Sequence, residues 1–185
     1  MNLSELATKA CAEVAEALAH ALPDQAEAMA APILNARKIA LHGLGREGLM
    51  MKALAMRLFH MGLNVHVVGE MTMPYIGEGD LLIVSAGPGH FETVLALVNQ
   101  AKAAGAQTMC ITANPVGAVP MAADHVIHLS AQTMATDQSD SGSILPMGSL
   151  YEAVMFMFFE VLVLYLRDMR GVNPENMRAF HTNME

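Results

Sequence analysis

Two glycine-rich turns constrain this chain more than any other feature, because each lies where a short apolar run gives way to a helical pattern. Lys38-Ile39-Ala40-Leu41-His42 reads as a strand, and Gly43-Leu44-Gly45-Arg46-Glu47-Gly48 leads it into a helix through Met61. Leu81-Leu82-Ile83-Val84 reads as another strand, followed by Ala86-Gly87-Pro88-Gly89 and a helix from about Phe91 to Ala104. Val65-His66-Val67-Val68, Gln107 to Thr112 and His125 to Leu129 add three more apolar runs. Strands that alternate with helices imply right-handed crossovers and a parallel sheet, an α/β fold. Such strands are covered on both faces, so they are apolar runs rather than alternations.

Helical patterns flank this core. Leu3, Leu6, Ala10, Val14, Ala17 and Leu18 recur at helical spacing. Pro23 and Asp24 break that helix, and Asp24 suits the cap of a second one ending near Asn35. Ser130 to Ser143 is polar and small, which predicts a loop. A long helix from about Met147 to Met169 follows, stopped by Gly171 and Pro174, and a last short helix leads to Glu185. The chain is therefore expected to be one domain over 1–185. Helices occupy 1–36, the βα core 37–130, a loop 131–146 and the last helices 147–185.

Hydrophobic residues make up 54% of the 185 and mean hydropathy is +0.36, so a membrane or a subunit interface must hide apolar surface. The most apolar stretch, Leu150 to Leu166, is interrupted by Glu152 and Glu160 and closed by Arg167, which argues against a spanning helix. The N-terminal segment carries early acids and lacks a signal-peptide pattern. The expectation is a cytoplasmic homo-oligomer. A net charge of −8, with no window rich in Lys or Arg, argues against nucleic acid as a partner. Cys11 and Cys110 are expected to be free and buried.

The first turn fits GxGxxG, and Glu70 lies about twenty residues on, as in a dinucleotide site. Two features count against that reading. Two helices precede the first strand, and no second catalytic domain follows the sheet. The second turn also opens a helix, so both can converge on one small ligand at the carboxyl edge of the sheet. Backbone N–H groups at helix starts suit an anion. Two turns with no ligand remain the plain alternative.

The chain resembles the sugar isomerase (SIS) family, and within it the 6-phospho-3-hexuloisomerases. The resemblance is carried by Gly43 to Gly48 with Ala53 to Leu58, by Asn64 to Glu70, by Gly79 to Ile83, by Pro146-Met147-Gly148-Ser149-Leu150-Tyr151-Glu152, and by the tail Met177-Arg178 with His181, Asn183 and Glu185. The last two segments are the specific ones. The resemblance implies a three-layer αβα sandwich, flavodoxin- or Rossmann-like, around a five-stranded parallel sheet. It further implies dimers or tetramers with sites between subunits, and no metal or organic cofactor.

Aldose–ketose isomerisation moves a proton between neighbouring carbons through an enediol, which one carboxylate on one face can do. Glu152 matches the family's base. Its position alone leaves a plain helix-start acid as an equal reading. His181 matches the family's tail histidine, with a role in ring opening or in proton traffic between the two oxygens, in its own or a neighbouring subunit's site. Gly45, Arg46, Glu47, Ser85, Gly87, Gly89, His90, Thr93 and Asn183 are the expected substrate contacts. Glu160, in an apolar stretch, needs a partner or water. The remaining histidines show no metal-ligand spacing.

The chain departs from the family in its turns. The usual Ser-Gly-Ser-Gly-Glu-Thr is Ala86-Gly87-Pro88-Gly89-His90-Phe91, and the serine after the first turn's arginine is Glu47. Phe180 replaces an arginine before the tail histidine. One reading keeps a sugar phosphate, held by loop amides, Arg46 and His90. Another gives the sugar a sulfonate, carboxylate or neutral end. A third, from a different class, is a non-catalytic sugar-binding SIS module.

Overall fold

Successive residues of a strand face opposite ways, and here they sort into two cores. The computed structural model describes residues 2–138 and 142–184. Residues 139–141 of the expected loop and the two terminal residues lie outside the described residues. The strands are β1 (Ile39–His42), β2 (Val65–Val67), β3 (Leu81–Ser85), β4 (Gln107–Thr112) and β5 (His125–His128). All pair in parallel in the order β2-β1-β3-β4-β5. Ile39, Leu41, Leu81, Ile83, Met109, Ile111 and Ile127 point into the larger core. Ala40, Leu82, Val84 and Cys110 point into the smaller one.

The larger core lies under α1 (Leu3–Ala21), α2 (Asp24–Asn35), α3 (Gly45–His60) and α6 (Ser149–Arg170). The smaller lies under α4 (Glu92–Ala103) and α5 (Ala118–Ala122). This is the three-layer sandwich the resemblance implied. The order of strands reverses between β1 and β3, so the crevice at their carboxyl ends is the natural ligand site.

Helix α6 is the central beam of the helical layer. Tyr151, Val154, Met155, Phe158, Leu162 and Leu166 form its buried stripe, at the three- and four-residue steps that keep one face inward. By length and composition alone it could cross a bilayer, but half of its most apolar window is buried inside the domain. Phe156, Met157, Leu164 and Tyr165 remain exposed on its other side, as do Met56 and Phe59 of α3. Glu160 finds a partner in Arg57 of α3, whose Nε donates to it at 3.1 Å.

The glycines of the first turn are required by close approach. A Cβ on Gly48 would lie 2.5 Å from the Gly43 carbonyl oxygen, so α3 could not start so close to the end of β1.

Several expectations are corrected. Cys11, expected buried, is exposed on α1, whereas Cys110 is buried. Asp24 is the first residue of α2 rather than its cap; Pro23 holds the cap position. Helix α5, hidden between Pro115 and the following strand, was not anticipated. The terminal helix α7 (Pro174–Ala179) is only six residues long, stopping before the tail.

Candidate active site

The first turns of α3 and α6 meet over the carboxyl ends of β1 and β3. They enclose a cleft of about 490 Å³ whose lining includes Gly45, Arg46, Glu47, Phe91, Tyr151 and Glu152. Pro88 and the segments 133–135 and 146–149 close its sides. A larger, more open hollow of about 580 Å³ lies between α1 and the loop after β5, away from these carboxylates. The smaller cleft gathers the chemistry, because it holds a carboxylate against a cation at the reversal of strand order.

Glu152 sits one turn into α6, with a side chain 12% exposed. Arg46 Nε lies 2.6 Å from its Oε2. The contact is an ion pair across the gap between α3 and α6. Burial pushes the Glu152 carboxyl above its ordinary range, and the Arg46 guanidinium offsets only part of that rise. A carboxylate poised higher than usual suits a base working near neutral pH.

Glu47 is the second acid of the cleft. Its Oε2 accepts from Ser85 Oγ at 2.6 Å and from the Gly87 N–H at 3.0 Å. The Tyr151 hydroxyl, fully buried, is 3.3 Å from Ser85 Oγ. Burial raises the Glu47 carboxyl; the two hydrogen bonds pull it back, and the Glu152 charge adds to the rise. Burial and the same Glu47 charge push the Tyr151 phenol well up, so Tyr151 stays a neutral donor.

Gly87 carries this arrangement. A Cβ there would meet Tyr151 Cε1 at 2.7 Å and Glu47 Oε1 at 2.8 Å. The turn is tied down from below: Thr112 Oγ1 donates to the Ala86 carbonyl at 2.7 Å, and the Ala113 N–H to the Gly87 carbonyl at 3.0 Å.

Gly45, Arg46, Glu47, Ser85, Gly87 and Glu152 thus come together. The other expected contacts do not join them in this chain. Gly89 is buried against Asn114 and Gly117. His90 is exposed and turned to Glu92, 3.2 Å away. Thr93 is exposed on α4 and outside the lining. His181 stacks near His60, ring centres 5.3 Å apart, at the C-terminal end of α3. Helix α3 has 16 residues. At a rise of about 1.5 Å each, the tail lies about 24 Å from the cleft end of that helix. Asn183 lies beyond it, exposed. Tyr151 was missed as a site residue although it stands in one of the two specific segments. Among the described residues no group of three His, Cys, Asp or Glu could hold a metal ion.

Comparison with known proteins adds three findings. The SIS domain family model matches residues 32–157. The 3-hexulose-6-phosphate isomerase of Bacillus subtilis (strain 168) is 32% identical over 185 residues, all of both chains. That of Mycobacterium gastri is 37% identical over 173 residues, 94% of this chain and 86% of its own. Among solved structures, a Methanococcus jannaschii protein described as inferring the function of a 3-hexulose-6-phosphate isomerase superposes with a TM-score of 0.84. It is 26% identical, covering 99% of this chain and 100% of its own.

Proposed function

Since the chain belongs to the SIS domain family, we propose that it is a sugar isomerase of the 3-hexulose-6-phosphate isomerase kind, with Glu152 as its base. It shifts a carbonyl to the neighbouring carbon of a phosphorylated ketohexose. The relatives' names supply the reaction and the sugar. The observation that carries the role of Glu152 is its place in the cleft, desolvated and touched by Arg46.

The Glu152 carboxylate takes the proton from the carbon beside the carbonyl, and the electron pair left behind forms the enediol. Returning that proton to the adjacent carbon completes the shift. Arg46 keeps the carboxylate ionised and aimed. A second group must carry the proton between the two oxygens. His181 fills that role if a neighbouring copy brings its tail to this cleft, since its own chain's tail lies at the far end of α3.

The exposed apolar residues of α3 and α6 support assembly into a homo-oligomer, with four copies as the proposed state. The cytoplasm is the proposed location, and the chain is proposed to act as one domain without metal or organic cofactor.

The test is proton exchange. Fructose 6-phosphate is incubated with the protein in heavy water, and loss of the proton signals at the carbons flanking the carbonyl is followed by NMR. The wild type should exchange, and Glu152→Gln should lose at least about 10²-fold of that rate. A wild type that leaves fructose 6-phosphate unexchanged overturns the assignment of a phosphorylated ketohexose, and one that leaves fructose unexchanged as well overturns the isomerase reading; exchange undiminished in Glu152→Gln removes Glu152 from its role.

A further inference from the structure

We infer that Glu47 sets the charge state in which this cleft takes its sugar: its carboxylate shuts out a phosphate dianion, and the phosphate enters together with a proton on Glu47. The inference rests on the isomerase reading above and adds to it a specificity-determining residue.

The turn donors nearest the end of β3 are already in use. Glu47 Oε2 accepts from both Ser85 Oγ and the Gly87 N–H. The charged and titratable groups that face it can be followed element by element. From β3 comes the Ser85 hydroxyl, and from the turn after it the Gly87 N–H. From α6 come the Tyr151 phenol and the Glu152 carboxylate, and from β4 the Cys110 thiol. On its own helix Arg46 is the one cationic side chain among the described residues lining the cleft, and it rests on Glu152. The lining therefore sets two carboxylates against one guanidinium. A phosphate dianion at the turns would meet an ionised Glu47 with only Arg46, already paired with Glu152, to offset the repulsion, in a cleft sheltered by Pro88, Phe91 and Met134.

Glu47 can answer in two ways, and its packing favours one. Withdrawing the side chain would break both hydrogen bonds, leaving the buried Ser85 hydroxyl with the Tyr151 hydroxyl at 3.3 Å and Met155 Sδ at 3.6 Å. Gaining a proton preserves both hydrogen bonds. Oε2 keeps Ser85 and Gly87. Oε1, which makes no hydrogen bond among the described residues, becomes an O–H donor beside Gly87. It then donates to a phosphate oxygen instead of repelling it. The balance is one proton taken from solvent onto Glu47 for each phosphorylated sugar bound, with no other bond made or broken. Burial and the nearby Glu152 charge already raise this carboxyl toward the range in which it takes that proton. A neutral sugar asks for no such exchange, because its hydroxyls can donate to Oε1 as it stands.

The test is calorimetric titration of the full chain with fructose 6-phosphate and with fructose, in two buffers of different ionisation heat. Work above about pH 7.5 keeps the free phosphate dianionic, its second pKa being about 6. Fructose 6-phosphate should bind with uptake of close to one proton, and its affinity should fall about tenfold per pH unit. Fructose should bind without uptake and with flat pH dependence. Glu47→Gln should abolish the uptake and flatten the profile for fructose 6-phosphate; Glu47→Ser serves if that variant does not fold. Uptake that persists in either variant puts the proton elsewhere and overturns the inference. So does pH-independent binding by the wild type, or binding of fructose alone at every pH. Proton exchange by the wild type is measured alongside. Its loss defeats the isomerase reading, whereas exchange with no Glu47-dependent uptake defeats only this one.

Discussion

Replacing Arg46 by Gln tests the electrostatics of the proposed base. In the wild type Arg46 Nε is 2.6 Å from Glu152 Oε2. Coulomb's law at that distance gives about 6 kcal/mol for an effective dielectric constant of ~20. That figure is a ceiling, because the Arg46 side chain is 68% exposed and water screens it. An ion pair with so exposed a partner is worth at most about 1 kcal/mol. Since a pKa unit is about 1.4 kcal/mol, Glu152 should rise by less than about one unit in Arg46→Gln. The sign follows from the chemistry: removing a cation favours the neutral acid, and a base must be ionised to work. The acid limb of kcat/KM against pH should therefore move upward, by about half a unit, in Arg46→Gln. Salt should narrow the gap between the two proteins, because an exposed charge is screened at high ionic strength. An acid limb that stays in place, or moves down, would refute the view that Arg46 holds this carboxylate in its charged form.

Two further expectations concern the frame. Gly48→Ala puts a methyl group 2.5 Å from the Gly43 carbonyl oxygen. It should cost about 1–3 kcal/mol in urea unfolding, with a larger loss of isomerase activity because the first turn of α3 must shift; an unchanged midpoint would contradict the packing described. Burial pushes the Asp80 carboxyl up, but the Gly77 N–H and the Lys38 and Arg37 cations together hold it below its ordinary value. Its stabilisation is thus present above the unfolded value of about 3.9 and is lost as pH falls through the lower folded one. Asp80→Asn should cost about 1.5–3 kcal/mol near neutral pH and show a flatter acid limb of urea midpoint against pH than the wild type; parallel curves would show that Asp80 is not the group responsible.

The sheet was legible because its signals are local. Two of the apolar runs, Lys38–His42 and Leu81–Val84, end at a glycine-rich turn, and the period there changes from a strand's to a helix's. Glu152 was legible for a similar reason: one short segment carries it. The arrangement around Glu47 was not. Its partners Ser85 and Gly87 are 38 and 40 residues away in sequence. Nothing along the chain announces that a carboxylate on one turn will cap the amide of the next. His90 shows the reverse case. It sits in the second turn, yet backbone geometry aims it at Glu92 rather than at the cleft. Cys11 was misjudged because α1 is small-residue-rich throughout, so its composition does not separate the buried face from the exposed one. The tail was readable as a motif but not as a location, because position relative to α3 depends on how α7 folds back.

Arg46 and Glu152 belong to different helices, and only the contact between α3 and α6 fixes the gap they span. Below that gap the two helices are wedged by Leu54, Leu58, Met155 and Phe158, all but inaccessible to solvent. The proposed reactive end is thus the jaw of a calliper whose setting screw lies deep in the hydrocarbon interior. With Glu152 as the proposed base, trimming a methylene well below the cleft is expected to alter turnover without changing any group a sugar could touch, which ties tolerance to interior change to speed of reaction.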